Sequence, residues 1–251
     1  MDSSVEHRIA QEFRSCVVNT IERIKSADTH RPFHTALLSD EALFWSRFER
    51  SFSTSFGQRV IEEISKIVVL ANGARDSVRQ KETEIAIDAS IDDAITEHES
   101  KLRAGKRMNW EETLQSINAV QPIGVNAYQK VISDLWWIKN GINHYVSIKT
   151  VKPNIDQTAV AKRDLLRLKL NDPRCKVFFG LYYNPYGEEK TTYNHAPPMG
   201  VFDFRHDSVV LIGREYWDTL GGDGTYDVVL DIARSVGSET KEMLEALRGR
   251  R

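Results

Sequence analysis

The chain has 251 residues, 41% hydrophobic and 28% charged, with a formal net charge of −2. These proportions suit a folded globular protein and exclude a collagen-like or disordered one. No apolar run approaches the roughly 20 residues that span a bilayer, so no membrane partner is expected.

From the N-terminus, Ile9, Phe13, Val17, Ile21 and Ile24 recur at helical spacing within Val5–Lys25. Met1 to Ala10 carries acids and no apolar segment, so no signal peptide is expected there. Asp40 is placed to cap a helix reaching Phe48. The hydroxyl-rich segment from Ser51 to Gln58 leads into a further helix, whose apolar stripe is Val60, Ile61, Ile64, Ile67 and Val68. Glu62 and Glu63 lie on that helix, Glu63 closer to the stripe.

Thr83 to Ser100 mixes isoleucines with acids and reads as a helix whose first part is also compatible with a strand. Seven acids (Glu82, Glu84, Asp88, Asp92, Asp93, Glu97 and Glu99) crowd this region, and Lys101, Arg103, Lys106 and Arg107 follow at once. Arg103–Met108 reads as a loop, Trp110–Ile117 as a short helix, and Pro122-Ile123-Gly124 as a loop entering two strands. Those strands meet at Asn140-Gly141. Both residues tolerate positive φ, so the pair is a strong hairpin signal. Asp134 ends one arm and Lys149 the other, which brings an acid and a base to one end of a sheet.

Pro153 stops the second strand, and Asn154 can cap the next helix. That helix sets Val160, Leu165, Leu166 and Leu168 against Lys162, Arg163, Arg167 and Lys169. The stretch 149–176 is basic and, with Lys101 to Arg107, is expected to meet phosphates. Cys175–Tyr183 reads as a buried strand, parallel to its partner across the crossover helix. Asn184–Met199 reads as a loop containing Pro197 and Pro198. Val209–Gly213 reads as a last strand. Helices are expected over Tyr216–Leu220, Tyr226–Val236 and Thr240–Leu247, ending in Arg248, Arg250 and Arg251. Cys16 and Cys175 have no metal-site spacing and read as buried thiols in a reducing cytoplasm. The expected fold is one α/β domain over 1–251. Its first part, 1–120, is mostly helical, and 121–251 holds a central mixed sheet flanked by helices.

Phosphodiester hydrolysis needs a hard cation on carboxylates, an activated water and neutralised charge at phosphorus. In the hairpin, Asp134 and the Ile148 carbonyl would hold the ion, and Lys149 would orient water and stabilise charge.

Four segments carry a family resemblance. They are Ser51–Gly57 with the Glu62 helix, Asp134 through Lys149 to Thr150-x-Lys152-Pro153-Asn154, Tyr183–Tyr186, and Tyr216–Tyr226 with Gly221-Gly222 and Gly224-Thr225. Together they resemble the TdeIII-type family of type II restriction endonucleases, within the PD-(D/E)xK nuclease superfamily. The resemblance implies a restriction-endonuclease-like core, Mg²⁺-dependent cutting of double-stranded DNA at a short sequence, and a companion methyltransferase. A symmetric target implies a homodimer. The family has an acid where this chain has Ser147, and the resemblance assigns the substitute carboxylate to Glu62. Lys152 and Asn154 fall in the motif itself. Sequence reading in the major groove would fall to Asn184, Lys190, Asn194, His195 and Arg214. Two other functions remain open: a DNA-binding protein that lost catalysis through Ser147, and an α/β protein with no nucleic-acid activity.

Overall fold

The computed structural model describes residues 1–26, 30–196 and 200–248. Pro197, Pro198, Met199, Arg250 and Arg251 of the predicted loop and tail lie outside the described residues. The chain forms two compact units, one of residues 1–67 with 227–251 and one of residues 68–226.

The first unit is helical: α1 (Ser3–Ser26), α2 (Pro32–Leu37), α3 (Asp40–Ser55), a π-helical turn over Phe56–Val60, the start of α4 (Ile61–Ala71), and most of α9 (Thr225–Arg248). Helix α3 is longer than the sequence suggests. Its cap is Ser39, which accepts the Ala42 N–H, so Asp40 is the first helical residue. The extra turns are held by an aromatic stripe at four-residue spacing. Phe48 stacks on Phe52 at 6.1 Å, Phe52 on Phe56 at 5.1 Å, and Phe56 on Phe13 of α1 at 5.8 Å.

In the second unit the described residues form a five-stranded mixed sheet in sequence order: β1 (Asp76–Asp88), β2 (Asn126–Lys139), β3 (Ile142–Lys149), β4 (Lys176–Leu181) and β5 (Val210–Ile212). The first two pairings are antiparallel and the last two parallel. The helices of this unit include α5 (Ala89–Arg103), α6 (Trp110–Asn118), α7 (Ile155–Asn171) and α8 (Arg214–Gly221).

Residues 83–88 belong to β1, which corrects the helix expected over 83–100; the helix starts only at Ala89. Pairing with β2 over Asp76–Asp88 decides this. The side chains then alternate, burying Ile85 and Ile87 and exposing Glu82, Glu84 and Ala86. Asp88 ends the strand and caps α5, its carboxylate accepting from Ser90, Ile123 and Gly124; these bonds hold its pKa at about 2. Asp134 is likewise not the start of a strand, since β2 begins at Asn126.

The hairpin turns where expected, with Asn140 at φ 54° and Gly141 at φ 73°. Asn154 caps α7 in a reciprocal box with Gln157. Helix α7 is the crossover between parallel β3 and β4. Its Leu165, Leu166 and Leu168 join Tyr145, Val177, Phe179 and Leu181 of the sheet in the main core. Cys16 and Cys175 are buried free thiols, and burial pushes Cys175 up to about 11. The three C-terminal helical stretches are two helices, because α9 runs unbroken through Val236 and Thr240.

Candidate active site

The β2–β3 ladder runs from Lys139↔Ile142 to Leu135↔Val146 and ends there. Beyond it the next outward N–H of β3, that of Ile148, donates to the Asp134 carboxylate at 2.7 Å instead of to a β2 carbonyl. The side chain of Asp134 thus takes over from the backbone at the point where the strands part. The same oxygen, Oδ2, accepts from Lys149 Nζ at 3.1 Å and faces Ser147 Oγ at 3.4 Å. Its other oxygen accepts from Gln80 Nε2 at 3.2 Å. Asp134 and Lys149 are partly exposed, with 19% and 25% of their side-chain surface open, so substrate can reach both.

Gln80 is the residue that sequence reading misses. It sits in β1 at φ 49°, a rare conformation for a non-glycine. Nothing in the one-dimensional pattern marks it, because only the pairing of β1 with β2 brings it to Asp134.

A small cavity of about 60 Å³ adjoins this corner, lined in part by Ser133, Ser147, Lys149 and Asp164. The buried Ser133 Oγ has no hydrogen-bond partner among the described residues. The cavity mixes these polar groups with apolar ones, among them Val131, Val160 and Leu165, and is large enough for water. The ligand-type groups that the structure brings together at the corner are oxygens: the Asp134 carboxylate and the Ser147 hydroxyl. Hard divalent cations take such ligands, so in kind the residues fit the metal the resemblance implies. In number the acids are few. No group of three His, Cys, Asp or Glu residues forms a metal cluster among the described residues. Glu62 lies on α4 and is 6% exposed.

On the other side of Ile148 the sheet is held tightly. Ile148 pairs with Gly180. A Cβ on Gly180 would lie 2.6 Å from the ring of the buried Tyr216, so only glycine lets α8 come this close. Trp217, 3% exposed, donates from Nε1 to the Tyr182 carbonyl at 2.9 Å, and Gly221 packs directly on Thr225 and Val68. The Gly-rich segment is thus a packing device, and it buttresses the sheet beside the site.

The candidate DNA contacts divide into two kinds. Asn154 is committed to its cap. Asn184 organises its own loop, donating to the Glu189 carbonyl and Thr192 Oγ1 and accepting from Tyr186 N–H. Lys190 is tied to the carbonyls of Asp207 and Val210 and to Glu215. Lys152 and Asn194 are exposed, and the Lys152 ammonium lies 5.5 Å over the Tyr186 ring. His195 Nε2 lies 3.2 Å from the Pro153 carbonyl. Arg214 stacks on Tyr226 at 4.8 Å and reaches towards Glu188 at 3.8 Å.

Of the basic stretch 149–176, the four bases on α7 (Lys162, Arg163, Arg167 and Lys169) are engaged within the protein, while Lys152, Arg174 and Lys176 are exposed. Arg167 pairs with the buried Asp92 at 2.7 Å, Arg163 with Glu99 and Asp164, and Lys169 with the carbonyls of Pro173 and Cys175. Lys162 is wholly buried and donates to the carbonyls of Met108, Asn109 and Val201. Burial pushes its ammonium down to about 7, against the opposing pull of Asp207 and Glu112.

An acid and a lysine joined at a sheet hairpin, followed by a crossover helix and a parallel strand, define a nuclease-type α/β core. The family model "Type II restriction endonuclease, HinfI" matches residues 1–237. The chain belongs to this family of type II restriction endonucleases and is a site-specific deoxyribonuclease. It is 29% identical over 252 residues to the type II restriction enzyme HgiCII of Herpetosiphon aurantiacus, covering 96% of this chain and 89% of that one. It is 28% identical over 216 residues to HgiEI of the same organism, covering 82% and 77%. The restriction-enzyme class that the sequence motifs suggest is thus shown, and the matching family model is that of HinfI.

Proposed function

We propose that the Asp134–Lys149 corner is where this enzyme hydrolyses DNA phosphodiesters, with Mg²⁺, as a symmetric homodimer in the cytoplasm beside a methyltransferase that protects host DNA. The observation that carries the reading is convergence: the Asp134 carboxylate, the Lys149 ammonium and the Ile148 main chain meet at one carboxylate oxygen. That the relatives are named as type II restriction enzymes supports the substrate.

A divalent cation bound here supplies Lewis acidity and a more acidic water. Asp134 and the Ile148 carbonyl would hold it. A second carboxylate from Glu62 is proposed on the resemblance alone. Lys149 would direct the attacking water and neutralise charge developing on the phosphoryl oxygens. Water adds to phosphorus, one ester P–O bond breaks, and the leaving oxygen takes up a proton. Ser147 Oγ would orient water rather than carry charge. Lys152, Asn194, His195 and Arg214 remain the proposed DNA contacts outside the reacting centre.

The test is plasmid cleavage with Mg²⁺ or with EDTA. Discrete fragments only with Mg²⁺ are expected. A gel shift without cutting would point to a binding protein that has lost catalysis. Asp134→Asn keeps an acceptor for the Ile148 N–H but removes the charge. It and Lys149→Ala should each lower cutting by about 10³-fold or more, the scale of losing one charge-stabilising group. Near-normal cutting by either variant would remove the corner from the mechanism.

A further inference from the structure

The Asp134 corner is short of acids, yet the crossover helix carries one beside it. Val160, Ala161, Leu165 and Leu168 of α7 line the cavity of about 60 Å³ at the corner, and Asp164 lines it with them. Asp164 stands three residues from Ala161 and four from Val160 and Leu168. Helical geometry therefore sets this acid on the otherwise apolar stripe that meets the sheet. From the sheet, Ser133, Ser147 and Lys149 line the same cavity.

Both ion pairs of Asp164 go through one oxygen. Its Oδ1 accepts from Arg163 Nε at 2.9 Å and lies 3.9 Å from Arg167. The second oxygen, Oδ2, takes no part in either pair. The two arginines do not depend on Asp164 for a counter-charge, because Arg167 has Asp92 at 2.7 Å and Arg163 has Glu99 at 3.0 Å. Arg163 thus orients the carboxylate, as an outer partner orients a metal ligand.

The cavity also holds a hydroxyl that needs a partner. Ser133 is 2% exposed, and its Oγ has no hydrogen-bond partner among the described residues. Such a group is costly to bury unless something in the cavity answers it. The space suits an ion with a water or two and is far too small for an organic ligand. Carboxylate and hydroxyl oxygens are what a hard divalent cation takes. Ser147 links the two acids, since its Oγ faces Asp134 at 3.4 Å and the residue lines the cavity with Asp164.

We infer that Asp164 is a further carboxylate of the cation site, supplied by the crossover helix beside Ser147, where the family carries an acid of its own. The inference rests on the reading of the Asp134–Lys149 corner as the reacting centre. It is independent of Glu62: the resemblance assigns that residue, whereas Asp164 is assigned by its place beside Ser147 and Lys149.

The experiment measures the metal affinity of the whole protein in two ways. One is Mn²⁺ binding without DNA, followed by electron paramagnetic resonance. The other is the Mg²⁺ concentration that half-saturates plasmid cleavage. Asp164→Asn keeps the size of the side chain and an acceptor for Arg163. It should weaken Mn²⁺ binding and raise the half-saturating Mg²⁺ by about 10–100-fold, the range that follows loss of support at a metal site. Its denaturation midpoint should stay near that of wild type. Asp156→Asn, at an exposed acid of the same helix, should change neither affinity. Ser133→Val fills the cavity without touching the Arg163 pair and should weaken metal binding too; it stands in should Asp164→Asn not fold. Normal metal affinity in the folded variant, while Asp134→Asn loses it, overturns the inference and leaves the corner as the reacting centre. Loss of cutting by Asp164→Asn at normal metal affinity overturns it as well, because Asp164 would then be only a structural partner of Arg163. Normal metal affinity in Asp134→Asn, or cutting by the wild type that is indifferent to Mg²⁺, would instead bring down the reading of the corner itself.

Discussion

Two regions of this protein pair bases with acids, and they use the pairing in opposite ways. In the α5–α7 layer each base has an acid or a carbonyl: Arg167 meets Asp92, Arg163 meets Glu99, and Arg103 meets Glu99 and Asp156. At the Asp134 corner the pair stays open: Lys149 Nζ lies 3.1 Å from the Asp134 carboxylate, and 25% and 19% of their side-chain surfaces are exposed. The first arrangement consumes charge to lock two helices together; the second leaves the pair where substrate can reach it. A run of bases in a sequence therefore does not mark a DNA surface until the acids that answer it have been located.

The comparison breaks most sharply at Arg167. Its side chain and that of Asp92 are 10% and 9% exposed. Removing one member of such a pair leaves an uncompensated buried charge, which costs about 3–5 kcal/mol. Arg167→Ala should lose that much stability in denaturant titration, while the cutting rate per folded molecule stays normal. If Arg167→Ala were instead stable and poor at binding DNA, the α7 bases would belong to the surface that meets the substrate.

The next effect concerns the carboxylate missing at Ser147. Glu62→Ala should reduce cutting by about 100-fold, the order of loss when a reacting group is no longer held in place. Adding Ser147→Asp to that background should recover part of the rate, because the acid returns at the position where the family carries it. Single-turnover cleavage checks both. Normal cutting by Glu62→Ala removes this residue from the proposed ligand set and makes Glu63→Ala the variant to measure.

A third effect is the pH dependence of the buried bases. His98, near Thr113 Oγ1 at 3.3 Å, is pushed down to about 4 from 6.5, chiefly by burial and then by Lys162, Lys106 and Lys101. The unfolded chain binds this proton first as pH falls. Stability from neutral His98 is therefore complete above about pH 6.5 and is lost as pH falls towards 4. For Lys162 the unfolded chain is the better proton binder from about pH 7 to 10.5, so its contribution rises with pH across that window. Denaturant melts at a series of pH values should show a shallower acid loss for His98→Gln and a flatter alkaline rise for Lys162→Met. Slopes identical to wild type would mean that neither group titrates as its burial demands.

Much of the chain is decided locally and could be read from the sequence. Asn140-Gly141 supplies the positive φ that a tight hairpin needs, and Asn154 with Gln157 closes the start of α7 through neighbours three residues apart. The spacing of Ile9, Phe13, Ile21 and Ile24 makes α1, because a helix brings such positions to one face. These features depend on a few adjacent residues, and so a hairpin ending near an acid and a lysine was legible. What only the tertiary structure decided depends on partners far along the chain. Thr83–Asp88 became a strand because β2 lies beside it, and Gln80 reached Asp134 by the same pairing. Asp134 took the Ile148 N–H because the β2–β3 ladder ends one step earlier. The charges of α7 were neutralised by acids some 60 to 75 residues earlier. Local pattern sets which backbone shapes are cheap; the fate of a charged side chain is set by the desolvation and pairing that distant packing imposes.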